Sequence, residues 1–113
     1  MICEFMTITT QMPPCMPIPE ALTRLRISST AKLMYSRMLD VILTAGIEDE
    51  NGILFIRFPI TELAAALFRS SMTIKRSLNE LEKAGLIMRV RQNVGEPNRI
   101  YILIPKNEET GHE

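Results

Sequence analysis

Residues 61–104 read TELAAALFRSSMTIKRSLNELEKAGLIMRVRQNVGEPNRIYILI, and this stretch decides the fold. Thr61 is placed to cap a short helix through Phe68, with Glu62 in the first turn, where a carboxylate suits the helix dipole. Ser70 or Ser71 caps a second helix, which stops at Gly85. With Gly85 as the left-handed residue after the cap, Leu86 and Leu81 take the positions of the usual hydrophobic contact at such a helix end. Beyond it, two apolar arms carry arginines and flank the turn-forming run Asn93-Val94-Gly95-Glu96-Pro97-Asn98. Helix, tight turn, helix and basic hairpin form the plan of a winged helix-turn-helix, which points to double-stranded DNA.

Working outward, residues 53–58 (ILFIRF) predict a short strand closed by Pro59, and residues 48–52 a polar turn. Ser28, Ser29 or Thr30 caps a long helix to about Thr44, ended by Gly46. Its apolar stripe is Ala31, Met34, Tyr35, Met38, Leu39 and Ile42, yet Leu33, Val41 and Leu43 lie off it. A helix apolar on most sides must be covered on most sides, here by the N-terminal arm or by another subunit. Pro13, Pro14, Pro17 and Pro19 keep residues 1–15 an extended or disordered leader, with order beginning near Met16–Leu22. The expected architecture is α+β. It comprises a three-helix core with a β-hairpin wing and a short extra strand over residues 16–105, then an acidic tail over 106–113.

A chain of 113 residues has room for one domain, and 46% hydrophobic with 23% charged residues is ordinary for a globular protein. No apolar run reaches the roughly 20 residues of a membrane span. Glu4 stands where a signal peptide would carry Lys or Arg, so a cytoplasmic location is expected. Cys3 and Cys15 are too few and too oddly placed for a disulfide scaffold or zinc site, and read as free thiols. The zero net charge hides a partition. Residues 1–68 carry five bases against seven acids, and residues 69–106 carry eight bases against three acids. The excess of positive charge sits on the suspected binding unit, where it attracts phosphate.

Within residues 71–84, Ile74, Leu78 and Leu81 form the buried side, and Met72, Thr73, Lys75, Arg76, Asn79 and Lys83 the opposite face. The first half of such a helix meets base edges. Thr73, Arg76 and Asn79 are the candidates for base readout, since arginine pairs with guanine and asparagine with adenine. Ser71 and Lys75 suit phosphate contact. The alternative is a solvated face with an Arg76–Glu80 ion pair one turn apart. In the hairpin, a tip at Gly95 sets Leu86, Met88 and Val90 opposite Ile104, Ile102 and Ile100 as the core face. The same register puts Arg89 opposite Tyr101 and Arg91 opposite Arg99. Like charges across a ladder are costly and make better sense with a phosphate between them, so Arg89, Arg91 and Arg99 are phosphate candidates. Arg89 has the alternative of neutralising a nearby acid.

The segments MPIPEAL (16–22), SSTAKLMYSRMLD (28–40), DENGILFI (49–56), ITELAAAL (60–67), LNELEKAGLI (78–87) and GEPNRIYI (95–102) resemble the N-terminal domain of replication initiator protein A from plasmids and integrative elements. The resemblance implies a winged helix that binds origin repeats, often as a homodimer, with replication machinery or another protein as a further partner. By it, Ser71, Thr73, Lys75, Arg76 and Asn79 take recognition-helix positions, and Gly95, Asn98 and Arg99 the wing. Two departures stand out. Phe68-Arg69 replaces a Gly-Cys-like pair in the turn, and family initiators usually continue into a further C-terminal domain. A small transcriptional regulator and a protein-interaction winged helix are the competing readings. An enzyme is the least expected class: the single histidine is His112, no glycine-rich phosphate loop or metal motif occurs, and no cofactor is implied.

Overall fold

The computed structural model describes residues 1–57, 60–91 and 98–106. Three α-helices, α1 (Ser29–Ala45), α2 (Ile60–Leu67) and α3 (Ser71–Lys83), pack on one side of a four-stranded antiparallel sheet. The strands are β1 (Ile47–Glu48), β2 (Leu54–Ile56), β3 (Ile87–Val90) and β4 (Arg99–Ile102), in the order β1-β2-β4-β3. The expected α+β class and three-helix core are present. The extra strand is itself half of a small hairpin, because Glu48 pairs with Leu54 and Ile47 with Phe55. Residues 48–52 were expected as turn alone. The turn proper begins at Asp49, whose Oδ1 accepts from the N–H groups of Asn51 and Ile53 at 2.8 and 2.9 Å.

Local chemistry explains the helix limits. Ser28 caps α1, its Oγ accepting from Ala31 N–H at 3.1 Å. Gly46 ends that helix because a Cβ there would lie 2.6 Å from the Ile42 carbonyl oxygen. Ser70 caps α3 in the same way through Thr73 N–H. Helix α2 differs from expectation at its start: Thr61 lies inside the helix, one residue after Ile60.

The ends of α2 and α3 share one hydrogen-bond pattern. At α3, Leu86 N–H donates to Leu81 O and Gly85 N–H to Glu82 O, both at 3.0 Å, with Gly85 at φ 81°. At α2, Arg69 N–H donates to Ala64 O and Phe68 N–H to Ala65 O, with Phe68 at φ 55°. Both are Schellman ends. The first uses the residue type that reaches left-handed φ without penalty, and the second places a phenylalanine there.

Leu22, Met34, Tyr35, Met38, Leu63, Ile74, Leu78 and Leu81 are the largest fully buried side chains, and they bind all three helices into one core. Helix α1 lies at its centre. The arm covers part of its second face: Leu22 is fully buried within a short 3-10 helix, and Ser36 Oγ donates to Pro17 O. Of the apolar surplus of α1, Val41 packs against the core, whereas Leu33 and Leu43 stay exposed. Tyr35 reaches across to donate its hydroxyl to Leu103 O at 2.8 Å. Burial pushes this phenol up to about 12.

Candidate nucleic-acid interface

Helix α3 buries Ile74, Ser77, Leu78 and Leu81 and exposes Met72, Lys75, Arg76, Asn79 and Lys83. At 100° per residue these five side chains share an arc of about 100° opposite the core. The two acids of α3 are both turned away from this arc. Glu80 accepts from Ser28 N–H and Ser28 Oγ–H, each at 2.8 Å, and so ties α3 to the cap of α1. Glu82 accepts from Arg89 Nε at 2.9 Å and Nη2 at 2.6 Å. The Arg76–Glu80 pair expected as the alternative does not form, because Glu80 is bonded 52 residues away. Among the described residues, Lys75 and Arg76 have no ion-pair partner.

Of the other candidates on this helix, Ser71 is exposed at the first position. Thr73 is half-buried, and its hydroxyl hydrogen-bonds to Ser70 Oγ at 3.0 Å. Asn79 is exposed, with Oδ1 accepting from Arg89 Nη2 at 2.7 Å. A guanidinium has no acceptor, so the amide oxygen must face Arg89. The amino end of Asn79 stays available as a donor.

The hairpin register corrects the sequence reading. Ile87 pairs with Ile102, Met88 with Tyr101, Arg89 with Ile100 and Val90 with Arg99. This is one residue away from the register that a tip at Gly95 suggested, and a shift of one exchanges the faces. Leu86 and Ile100 lie in the core as expected, but β3 adds Ile87 there in place of Met88, which is 51% exposed, and Ile104 is 53% exposed. Arg91 and Arg99 are not opposite one another, so the argument from facing like charges falls. Arg89 instead lies on the helix side, where Glu82 is the nearby acid it neutralises. The same bonds hold the Glu82 carboxyl below its ordinary range: the Arg89 side-chain hydrogen bond first, then its backbone N–H and its charge, against the opposing effect of desolvation.

Arg99 lies on the outer face of the sheet. Its guanidinium sits 4.4 Å from the centroid of the buried Phe55 ring and 3.4 Å from Tyr101 Oη. Tyr101 in turn donates to Asp49 Oδ2 at 2.9 Å, fastening the wing strand to the β1–β2 turn. Arg91 is exposed just past β3, and Asn98 is exposed just before β4. Gly95 lies outside the described residues.

Two roles were missed by sequence reasoning. The clamp on Ser28 by Glu80 has no local signal, and Asp49 was read only as part of a polar turn. Among the described residues no cluster of metal-ligating side chains occurs, and no helix is long and apolar enough to cross a membrane.

Solved structures share this fold. One described as a Rep–DNA complex superposes with a TM-score of 0.71 at 19% identity, covering 83% of this chain and 78% of that one. The N-terminal domain of a DNA-binding protein gives 0.67 at 18% identity, covering 93% and 86%. A structure described as an MDR initiator gives 0.65 at 22% identity, covering 92% and 88%. No curated protein matches the chain in sequence. The family pattern of the replication initiator protein A (RepA) N-terminus matches residues 18–111, and the chain belongs to that family.

Proposed function

We propose that this domain binds double-stranded DNA sequence-specifically, at origin repeats of a plasmid or mobile element, by laying α3 in the major groove. The observation that carries the reading is the arc of Lys75, Arg76, Asn79 and Lys83, from which both acids of the helix are withdrawn into other bonds. Arg76 supplies a bidentate donor for a guanine edge, and Asn79 an amino donor oriented by Arg89. Ser71, Lys75, Arg91 and Asn98 hold phosphates around this helix. Family membership and the fold shared with the Rep–DNA complex support this reading.

The working unit in this proposal is a homodimer, since one recognition helix reads only a short half-site. Met1, Ile2, Phe5, Met6 and Ile8 of the arm are exposed, as is Leu43 of α1, and these offer the apolar surface for a second copy. A monomer at tens of micromolar in sedimentation would remove this part. The exposed thiols of Cys3 and Cys15 suit a reducing cytoplasm.

Fluorescence anisotropy with a random-sequence duplex, titrated with salt, tests the DNA reading. Neutralising about two or three phosphates per protomer, by Lys75, Arg91 and Lys83, gives a slope of log K against log salt of about −2 to −3. A flat dependence, or no binding at low salt, would defeat it.

A further inference from the structure

The most outward position of α3 is held by an apolar side chain. The buried residues Ile74, Ser77, Leu78 and Leu81 centre on one side of the helix, and Met72 projects from the opposite side. It stands in line with Arg76, Asn79 and Lys83, four, seven and eleven residues further on. Met72 is 67% exposed and belongs to no part of the hydrophobic core. It does not cap the helix either, because Ser70 does that. Its neighbours on the arc are polar, and among the described residues the hydrophobic core does not include it.

In the major groove, the apolar feature that a base edge presents is the thymine 5-methyl group. Residues in the first turn of a recognition helix approach base edges, and Met72 is the second residue of α3. We propose that Met72 is a specificity-determining residue that packs its thioether against a thymine methyl. The proposal rests on the reading that α3 enters the major groove, and it adds a base-specific contact to it. Four residues of helix rise about 6 Å, close to two base-pair steps. The thymine therefore lies within about two base pairs of the position read by Arg76.

The test starts with in vitro selection of the full chain on a random-duplex pool at about 150 mM salt. Each thymine of the recovered motif is then replaced singly by deoxyuridine, which deletes the methyl and leaves every hydrogen-bonding group. Wild type is expected to lose about fourfold in affinity at one such position per half-site, the worth of one buried methyl. Met72→Ala is expected to lose the same factor on the thymine duplex and to bind thymine and deoxyuridine duplexes equally. Its melting temperature should match wild type, because the side chain is exposed. A motif without any methyl-sensitive thymine, or a sensitivity that survives Met72→Ala, overturns the Met72 assignment and leaves DNA binding intact. Retention without a motif overturns the assignment along with all base readout. Absence of retention on every duplex overturns the underlying DNA reading itself.

Discussion

Arg76 and Arg89 lie on adjoining elements of one binding unit and meet opposite fates. Arg76 projects from α3 with no carboxylate partner among the described residues, because Glu80 is bonded to the cap of α1. Arg89 projects from β3 toward α3, where Glu82 and Asn79 take up its Nε and Nη2 groups. Arg99 resembles Arg89 in being engaged, over Phe55 and against Tyr101. The helix thus holds its cations clear of the fold, while these two strand arginines serve as braces. A count of basic residues treats them alike. Whether a carboxylate or ring already holds the guanidinium is what separates a cation available to a partner from a structural one.

The comparison breaks first, and by the largest margin, at Arg76. Arg76→Ala should weaken binding to the selected duplex by about 1–3 kcal/mol and relax preference at one base position. Its melting temperature should stay near wild type. A thermal loss comparable to the binding loss would place Arg76 among the braces.

Arg89→Ala should show the reverse order of effects. Removing the brace leaves Glu82 without its cation and should cost about 1 kcal/mol of stability, a modest value because both partners are partly exposed. Binding should fall less than for Arg76→Ala, through loss of the orientation of Asn79. Chemical denaturation alongside anisotropy separates the two contributions.

Phe68→Gly sharpens the comparison of the two helix ends. Phe68 takes the position that Gly85 takes after α3, at φ 55° and 89% exposed. Glycine should raise stability by about 1 kcal/mol through relief of left-handed strain. A loss of stability instead would mean that the ring makes a contact worth more than that strain.

The pH dependence gives the most specific signal. Because Glu82 titrates below its ordinary value of 4.5, its contribution is present above that pH and lost as pH falls through the folded value. Arg89→Ala should flatten this acid limb in a denaturation series. Tyr35 has the opposite sign. Its contribution is full below pH 10.0 and declines as the pH rises toward about 12, and Tyr35→Phe should remove that decline.

What the sequence made legible was local. Ser28, Gly46, Ser70 and Gly85 mark helix ends through bonds that span at most a few residues, and the pairing of Leu81 with Leu86 follows from the position of Gly85. The exposed face of α3 was readable for the same reason, since one helix's period separates it from the core. The hairpin register was not readable. LIMRV holds Leu86, Ile87, Met88 and Val90 without clean alternation, so either face fits the core, and a guessed tip residue decided wrongly. The β1 strand is two residues long and carries no pattern of its own. The bonds from Ser28 to Glu80 and from Tyr101 to Asp49 each join residues 52 apart, a distance at which a single sequence holds no pairing signal.

The most direct test of the central claim is an amide chemical-shift map of the ¹⁵N-labelled protein on titration with a selected duplex. The largest shifts are expected along Ser71–Lys83, centred on residues 72–79, with smaller ones at Arg91 and Asn98. The β1–β2 turn around Asp49 should stay unmoved. Shifts concentrated on the outer face of the sheet or on the arm, with α3 unchanged, would contradict that claim.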